Sequence, residues 1–155
     1  MKNKFLFYSI LFPILILLIL TFIKQNIYSN GKEFELNISG YDPIDLLSGH
    51  FVTYRIDYGF NPCDKIDSID TCICLTQTEY PASNLESCDF TKSCDAFLKG
   101  KCKNNFFEAG IEKYFIPENK AEEIDKIVQS GKSKIKIAVD KNGNAIVKDL
   151  ILISE

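Results

Sequence analysis

The sequence predicts an α+β protein: an N-terminal transmembrane helix, then a mainly antiparallel β-sheet domain able to curl into a barrel, with one packed helix and a cysteine-rich insertion. Three observations carry this. Residues 5–23 are nineteen residues without a charge. Several short runs beyond residue 33 alternate apolar and polar side chains, which is the two-residue period of half-buried strands. All six cysteines fall between residues 60 and 105. With 155 residues, 25% of them charged, the chain suits one compact domain behind its leader. The predicted layout is a signal-anchor at 1–24, a polar linker at 25–32 and an extracytoplasmic domain at 33–155.

The apolar run is long enough to cross a bilayer, since about 1.5 Å of rise per residue nearly spans a hydrocarbon core of about 30 Å. Lys2 and Lys4 precede it and Lys24 follows, so the positive-inside rule expects a cytoplasmic N-terminus in a single-pass cell (inner, cytoplasmic) membrane protein whose C-terminal domain lies outside. Pro13 is read as a proline accommodated within a membrane helix rather than as a functional kink. The rival reading is a cleaved signal peptide. Its apolar core is normally 7 to 15 residues and is followed by a small-x-small site, whereas this run is longer and offers Ser29-Asn30-Gly31 as the nearest substitute. Both readings export the domain. The anchor and Lys24 take three of the 18 basic residues and none of the 21 acidic ones, leaving the remainder at −6.

Residues 33–39 alternate Phe34, Leu36 and Ile38 and form the first expected strand, paired with a second that begins near His50. The sequon Asn37-Ile38-Ser39 lies inside that strand and carries no functional weight. Residues 41–58 read as a capped turn feeding a strand. Asp42 suits the cap, Pro43 the first helical position and Gly49 the end. Beyond it His50, Val52, Tyr54, Ile56 and Tyr58 share one face, and Phe51, Thr53, Arg55 and Asp57 share the other.

The segment from 60 to 105 reads as a covalently held insertion. In an exported domain, Cys63, Cys72, Cys74, Cys88, Cys94 and Cys102 are most simply three disulfides. Cys72 and Cys74 flank Ile73 on one strand face, a geometry that disfavours a mutual bond. Of fifteen pairings twelve then remain. A bridge such as Cys63 to Cys102 would be worth roughly 4 kcal/mol on chain entropy, but nothing in the sequence selects it. Zinc would ask for paired knuckles and more imidazoles than His50, and thiol redox work would ask for C-x-x-C at a helix start. The bland reading is therefore preferred, and His50 is taken as a strand-edge residue.

Residues 106–118 return to apolar bulk and end at Pro117. A helix follows, opened by Asn119 with Glu122 in a capping-box spacing, with Ala121, Ile124, Ile127 and Val128 on its apolar face. A Glu122–Lys126 pair and Gly131 at its close complete the pattern. Residues 134–154 read as a hairpin around Asn142-Gly143, either a two-residue turn or a longer loop with a bulge at Gly143. The apolar run near residues 150–153 suggests a central last strand.

Two of these stretches carry a resemblance. The run 49–56, GHFVTYRI, is similar to the signature of the GDYXXLXY family of small membrane-anchored bacterial proteins without an established activity. Gly49 is kept, Phe51 stands where the family has tyrosine, and His50, Tyr54 and Ile56 replace aspartate, leucine and tyrosine. The run 110–118, GIEKYFIPE, resembles the second conserved block at Gly110, Ile111, Glu112, Tyr114, Phe115, Pro117 and Glu118. The likeness continues to about Leu152 and leaves out the cysteine region. It implies an accessory or interaction module working with a polytopic membrane protein, besides the lipid bilayer met by residues 5–23.

No catalytic constellation is legible, no cofactor or metal is expected, and the absence of a basic, aromatic-laced face argues against nucleic acid. The alternative kept open is an extracytoplasmic enzyme using thiol-redox or signal-peptidase-like serine chemistry. The turn SGHFV is similar to L-x-x-G-D-x-V turns of the latter fold, but no motif fixes Ser39 or Ser48 beside a lysine. Tyr54 and Tyr58 are candidate contacts if exposed, with core packing as the competing role.

Overall fold

The computed structural model describes residues 2–40, 51–63, 71–76, 82–84, 88 and 94–153. The expected capped turn, with Gly49 and His50, lies outside them.

Helix α1 runs from Lys2 to Asn30, 29 residues, or roughly 43 Å at the α-helical rise. It is long and apolar enough to cross a membrane. In the span the Thr21 hydroxyl donates to the Leu17 carbonyl at 2.8 Å, so that polar group is satisfied within the helix. The helix does not end at Lys24: most of the stretch expected as a linker is its last turns. Side-chain hydrogen bonds from Gln25 to Ser29 and from Asn30 to Asn26 stitch those turns at i,i+4 spacing. Ile27, 4% exposed, packs into the domain. At Gly31 the chain turns from helix to strand so tightly that a Cβ would sit 2.5 Å from the Ile27 carbonyl oxygen and 3.0 Å from the Ala138 Cβ.

Five antiparallel strands follow from this corner. They are β1 (Lys32–Gly40), β2 (Phe51–Asp57), β7 (Lys113–Phe115), β8 (Ser133–Val139) and β9 (Ala145–Leu152), in the order β7-β2-β1-β8-β9. The pairing of β1 with β2 is the one the alternation predicted. Phe34, Leu36 and Ile38 of β1 point inward with Val52, Tyr54, Ile135 and Ile137. The sheet curls until its two edges, β7 and β9, approach each other, making a nearly closed barrel.

The cysteine-rich region is a second sheet. It consists of β3 (Thr71–Leu75), β4 (Ala82–Asn84), β5 (Ala96–Lys103) and β6 (Phe106–Glu108), in the order β4-β3-β5-β6. Ile73, Leu75 and Leu98 are fully buried in the same core as Phe34 and Leu36. The region is therefore part of the core as well as a covalent unit. Cys72 and Cys74 share the face of β3 opposite to Ile73, and each bonds elsewhere: Cys72 to Cys88 and Cys74 to Cys94, with Cα atoms 5.2 and 5.4 Å apart. Cys63 bonds to Cys102 at 5.7 Å. Among the twelve pairings open to the sequence, tertiary proximity decides this one.

Helix α2 (Ala121–Gln129) follows a 3-10 turn at Glu118–Lys120 and contributes the fully buried Val128. The N-cap is Lys120, not the expected Asn119. The Lys120 N–H donates to the Pro117 carbonyl, so the turn after Pro117 sets the start and Lys120, without a side-chain cap, occupies the N-cap. Gly131, at φ 72°, closes the end as expected. The β8–β9 connection is the longer alternative: Asp140 to Asn144 form the loop, and the Asp140 carboxylate accepts the N–H groups of Asn142 and Asn144. Gly143 (φ 79°) docks on β5, where a Cβ would lie 2.5 Å from the Phe97 ring. The bulge falls between Lys136 and Ile137.

The last strand is an edge, not central. Apolarity on two faces reports what covers the faces rather than what flanks the strand. Ala145, Val147, Leu150 and Leu152 pack on the core, while the end of α1 lies against β8 and β9, bringing the Tyr28 ring 4.6 Å from the Lys148 ammonium.

On the outer face, Glu33 bridges Lys136 at 2.7 Å and Lys148 at 2.5 Å. The Lys136 and Lys148 hydrogen bonds hold its carboxyl at about 2 instead of the usual 4.5. A depressed carboxyl stabilises the fold above its unfolded value and loses that contribution as pH falls through its folded one. Acid titration of the full chain should therefore show Glu33→Gln differing from the parent above about pH 4.5 and converging with it near pH 2. Because the pair is solvent-facing, salt should shrink the difference. Separately, replacing Cys63 and Cys102 by serine should cost about 4 kcal/mol in urea unfolding; an unchanged midpoint would contradict the staple.

Candidate functional site

The two stretches that carry the family resemblance are hydrogen-bonded to each other. β2 pairs β7 with Phe51 opposite Phe115, Val52 opposite Tyr114 and Thr53 opposite Lys113. Beyond the ladder the Tyr54 N–H donates to the Glu112 carbonyl at 3.1 Å, and the Tyr54 hydroxyl donates to the Ile111 carbonyl. Tyr54 is 1% exposed, and burial raises its phenol well above its ordinary value. It is a buried strut, so the core role holds and the contact role does not. Ile56 packs on the core and Ile111 is buried.

Glu112 has a structural task as well. Its carboxylate accepts the N–H groups of Ala109 at 2.5 Å and Gly110 at 2.9 Å, closing the turn where Gly110 adopts φ 81°. Pro117 and Glu118 are exposed beyond β7. Tyr114 is half-buried, its phenol raised by burial first and by Asp149 and Tyr28 after that. Phe115 is the outlier at 73% exposure. Its ring meets Phe51 edge-on at 6.1 Å, and the Lys113 ammonium lies 4.8 Å from the Phe51 ring.

Two concave regions flank this pair of strands. A groove of ≈ 1340 Å³ runs between β2 and β6, with Arg55 3.8 Å above the Phe106 ring and Asp57, Lys103, Glu108 and Lys113 around it. Tyr58 lines the groove, packed edge-on to Phe107 at 5.6 Å. Its buried hydroxyl has no hydrogen-bond partner, and burial, then Glu112 and Tyr54, push its phenol well up. A smaller gap of ≈ 350 Å³ separates β7 from β9 and is lined by Lys24, Tyr114, Phe115 and Ala145 to Val147. The sequence marks Lys24 only as the charge after the apolar run and Arg55 only as one face of a strand, and gives Phe106 no site role, because each acquires its setting from strands remote in the chain.

All six cysteines are bonded, which leaves no thiolate as nucleophile or ligand in this oxidised form. Among the described residues no three His, Cys, Asp or Glu side chains gather as a metal site. The groove alternates charge with aromatic surface.

The two buried tyrosines make a paired test. Tyr54→Phe strands the Ile111 carbonyl and should lower stability by about 1–3 kcal/mol in urea unfolding, whereas Tyr58→Phe removes an unpartnered hydroxyl and should be neutral or stabilising. Equal losses would show that the hydroxyl partners are misassigned.

No curated protein and no solved structure matches the chain. The family described as GDYXXLXY protein matches residues 13–150, a range that starts inside α1 and runs through the cysteine region. Two signature stretches joined in one ladder, behind an apolar helix within the matched range, lead to one conclusion: the chain belongs to the GDYXXLXY family.

Proposed function

We propose that the protein is a membrane-anchored, extracytoplasmic accessory module that works with a polytopic membrane protein. The observation that carries this is the unbroken run of α1 into a disulfide-bonded domain. Disulfides persist in oxidising compartments, and the lysines at positions 2 and 4 favour a cytoplasmic N-terminus. The packing of Ile27 and Gly31 favours an uncleaved anchor. Cutting near Ser29-Asn30-Gly31 would remove a buried isoleucine worth roughly 1.5–3 kcal/mol from the domain that α1 closes.

The accessory role is favoured over catalysis because the site offers surface rather than convergent reactive groups. The family resemblance implies a multi-span partner, and the groove where Arg55 lies over the Phe106 ring offers such a partner charge beside aromatic surface.

Alkaline carbonate extraction should leave the full chain in the membrane pellet. An impermeant amine crosslinker added from outside should join it to a multi-span protein, and a C-terminal tag should be open to external protease. A tag protected from protease on a chain with reduced cysteines would overturn the reading.

A further inference from the structure

The anchor and the open edge of the barrel meet at one place. Lys24 is the first charged residue after the nineteen uncharged ones, and it lines the same gap as Tyr114, Phe115 and Ala145 to Val147. The gap is only ≈ 350 Å³, so strand-edge residues lie at the level where the chain leaves the hydrocarbon. No slack separates the two: Ile27 is already buried one helical turn beyond Ile23, about 6 Å along the axis. Gly31 then turns directly into β1.

What stands at that level is aromatic and basic. Phe115 is 73% exposed, against 46% for Phe106 and 42% for Tyr28. It is backed by Phe51, over which Lys113 sits. An exposed phenylalanine gains nothing from water, whereas the headgroup region takes the apolar body of an aromatic ring and the lysine charges together. The exported part carries −6 overall, which an anionic leaflet repels, so Lys24 and Lys113, both lining this gap, are the groups that can meet its headgroups.

We infer, resting on the reading of α1 as a membrane anchor, that the β7 edge, with Phe115 and Phe51 between Lys24 and Lys113, seats the domain on the lipid headgroup layer. The domain then has a fixed face toward the bilayer instead of tumbling on a tether. Its ≈ 1340 Å³ groove is held at a set height and orientation for a membrane partner.

The chain contains no tryptophan, so one substitution makes a clean probe. Phe115→Trp in the full chain, inserted into lipid nanodiscs, should emit at shorter wavelength than a solvent-exposed indole. It should be quenched several-fold more by lipids carrying bromine near the glycerol level than Ile153→Trp. That comparison position is 46% exposed and lies seven residues beyond Ile146, roughly 23 Å along an extended strand. Adding Lys113→Glu should reduce the quenching, most in discs rich in phosphatidylglycerol. A water-like, unquenched Phe115→Trp in discs that contain the inserted chain would overturn the seat and leave the anchor standing. Shielding that arises only when other membrane proteins are present would also overturn it, assigning the edge to a protein. Failure of the chain to insert at all would remove the anchor reading, and the seat with it.

Discussion

The corner at Gly31 constrains everything beyond it. The α1 helix ends there with the Gly31 N–H donating to the Ile27 carbonyl at 2.9 Å, and β1 begins at Lys32. A side chain at Gly31 would collide with the helix on one side and with Ala138 on the other, so helix and sheet approach to backbone contact. β1 is the central strand of its sheet, paired along its length to β8 and at its far half to β2. The placement of the whole barrel relative to the apolar helix therefore follows from one glycine and one strand.

The small sheet is built differently. β4 and β6 are three residues each, too short to supply much ladder, and the segment's sequence is poor in large apolar residues outside β3 and β5. What apolar surface it has goes inward: Ile73, Leu75, Leu98 and Phe107 join the core of the larger sheet. The opposite face of β3 holds Cys72 and Cys74, each tied to a neighbouring segment. Covalent closure there limits the unfolded chain where burial alone offers little. Noncovalent ties add to it: Lys32 bonds Asp95 at 3.0 Å, and the Lys99 N–H donates to the Gly143 carbonyl.

The described residues of the two stretches that carry the resemblance are chiefly structural in this chain. Tyr54, Ile111 and Glu112 hold β2 to the turn before β7 with buried or backbone hydrogen bonds. A buried strut such as Tyr54 cannot touch a partner. Phe115 alone among the described residues of those stretches leaves a large apolar side chain mostly exposed, and the Arg55–Phe106 groove takes Tyr54, Ile56, Gly110 and Glu112 from them.

Local pattern was enough for the apolar helix, the alternation of β1, the face of β2 carrying Val52, Tyr54 and Tyr58, the close of α2 at Gly131, and the rule that Cys72 and Cys74 seek partners apart. Each depends on neighbours within a few residues, where dihedral preference and periodicity act. The continuation of α1 to Asn30, the N-cap at Lys120 instead of Asn119, the edge position of β9 and the choice among twelve cysteine pairings were not legible that way. Ile27 is helical because a sheet assembled much later in the chain covers it, and β9 is apolar on two faces because a helix from the other end lies on one of them. A sequence states what each segment can bury, and only the assembled molecule decides what comes to bury it.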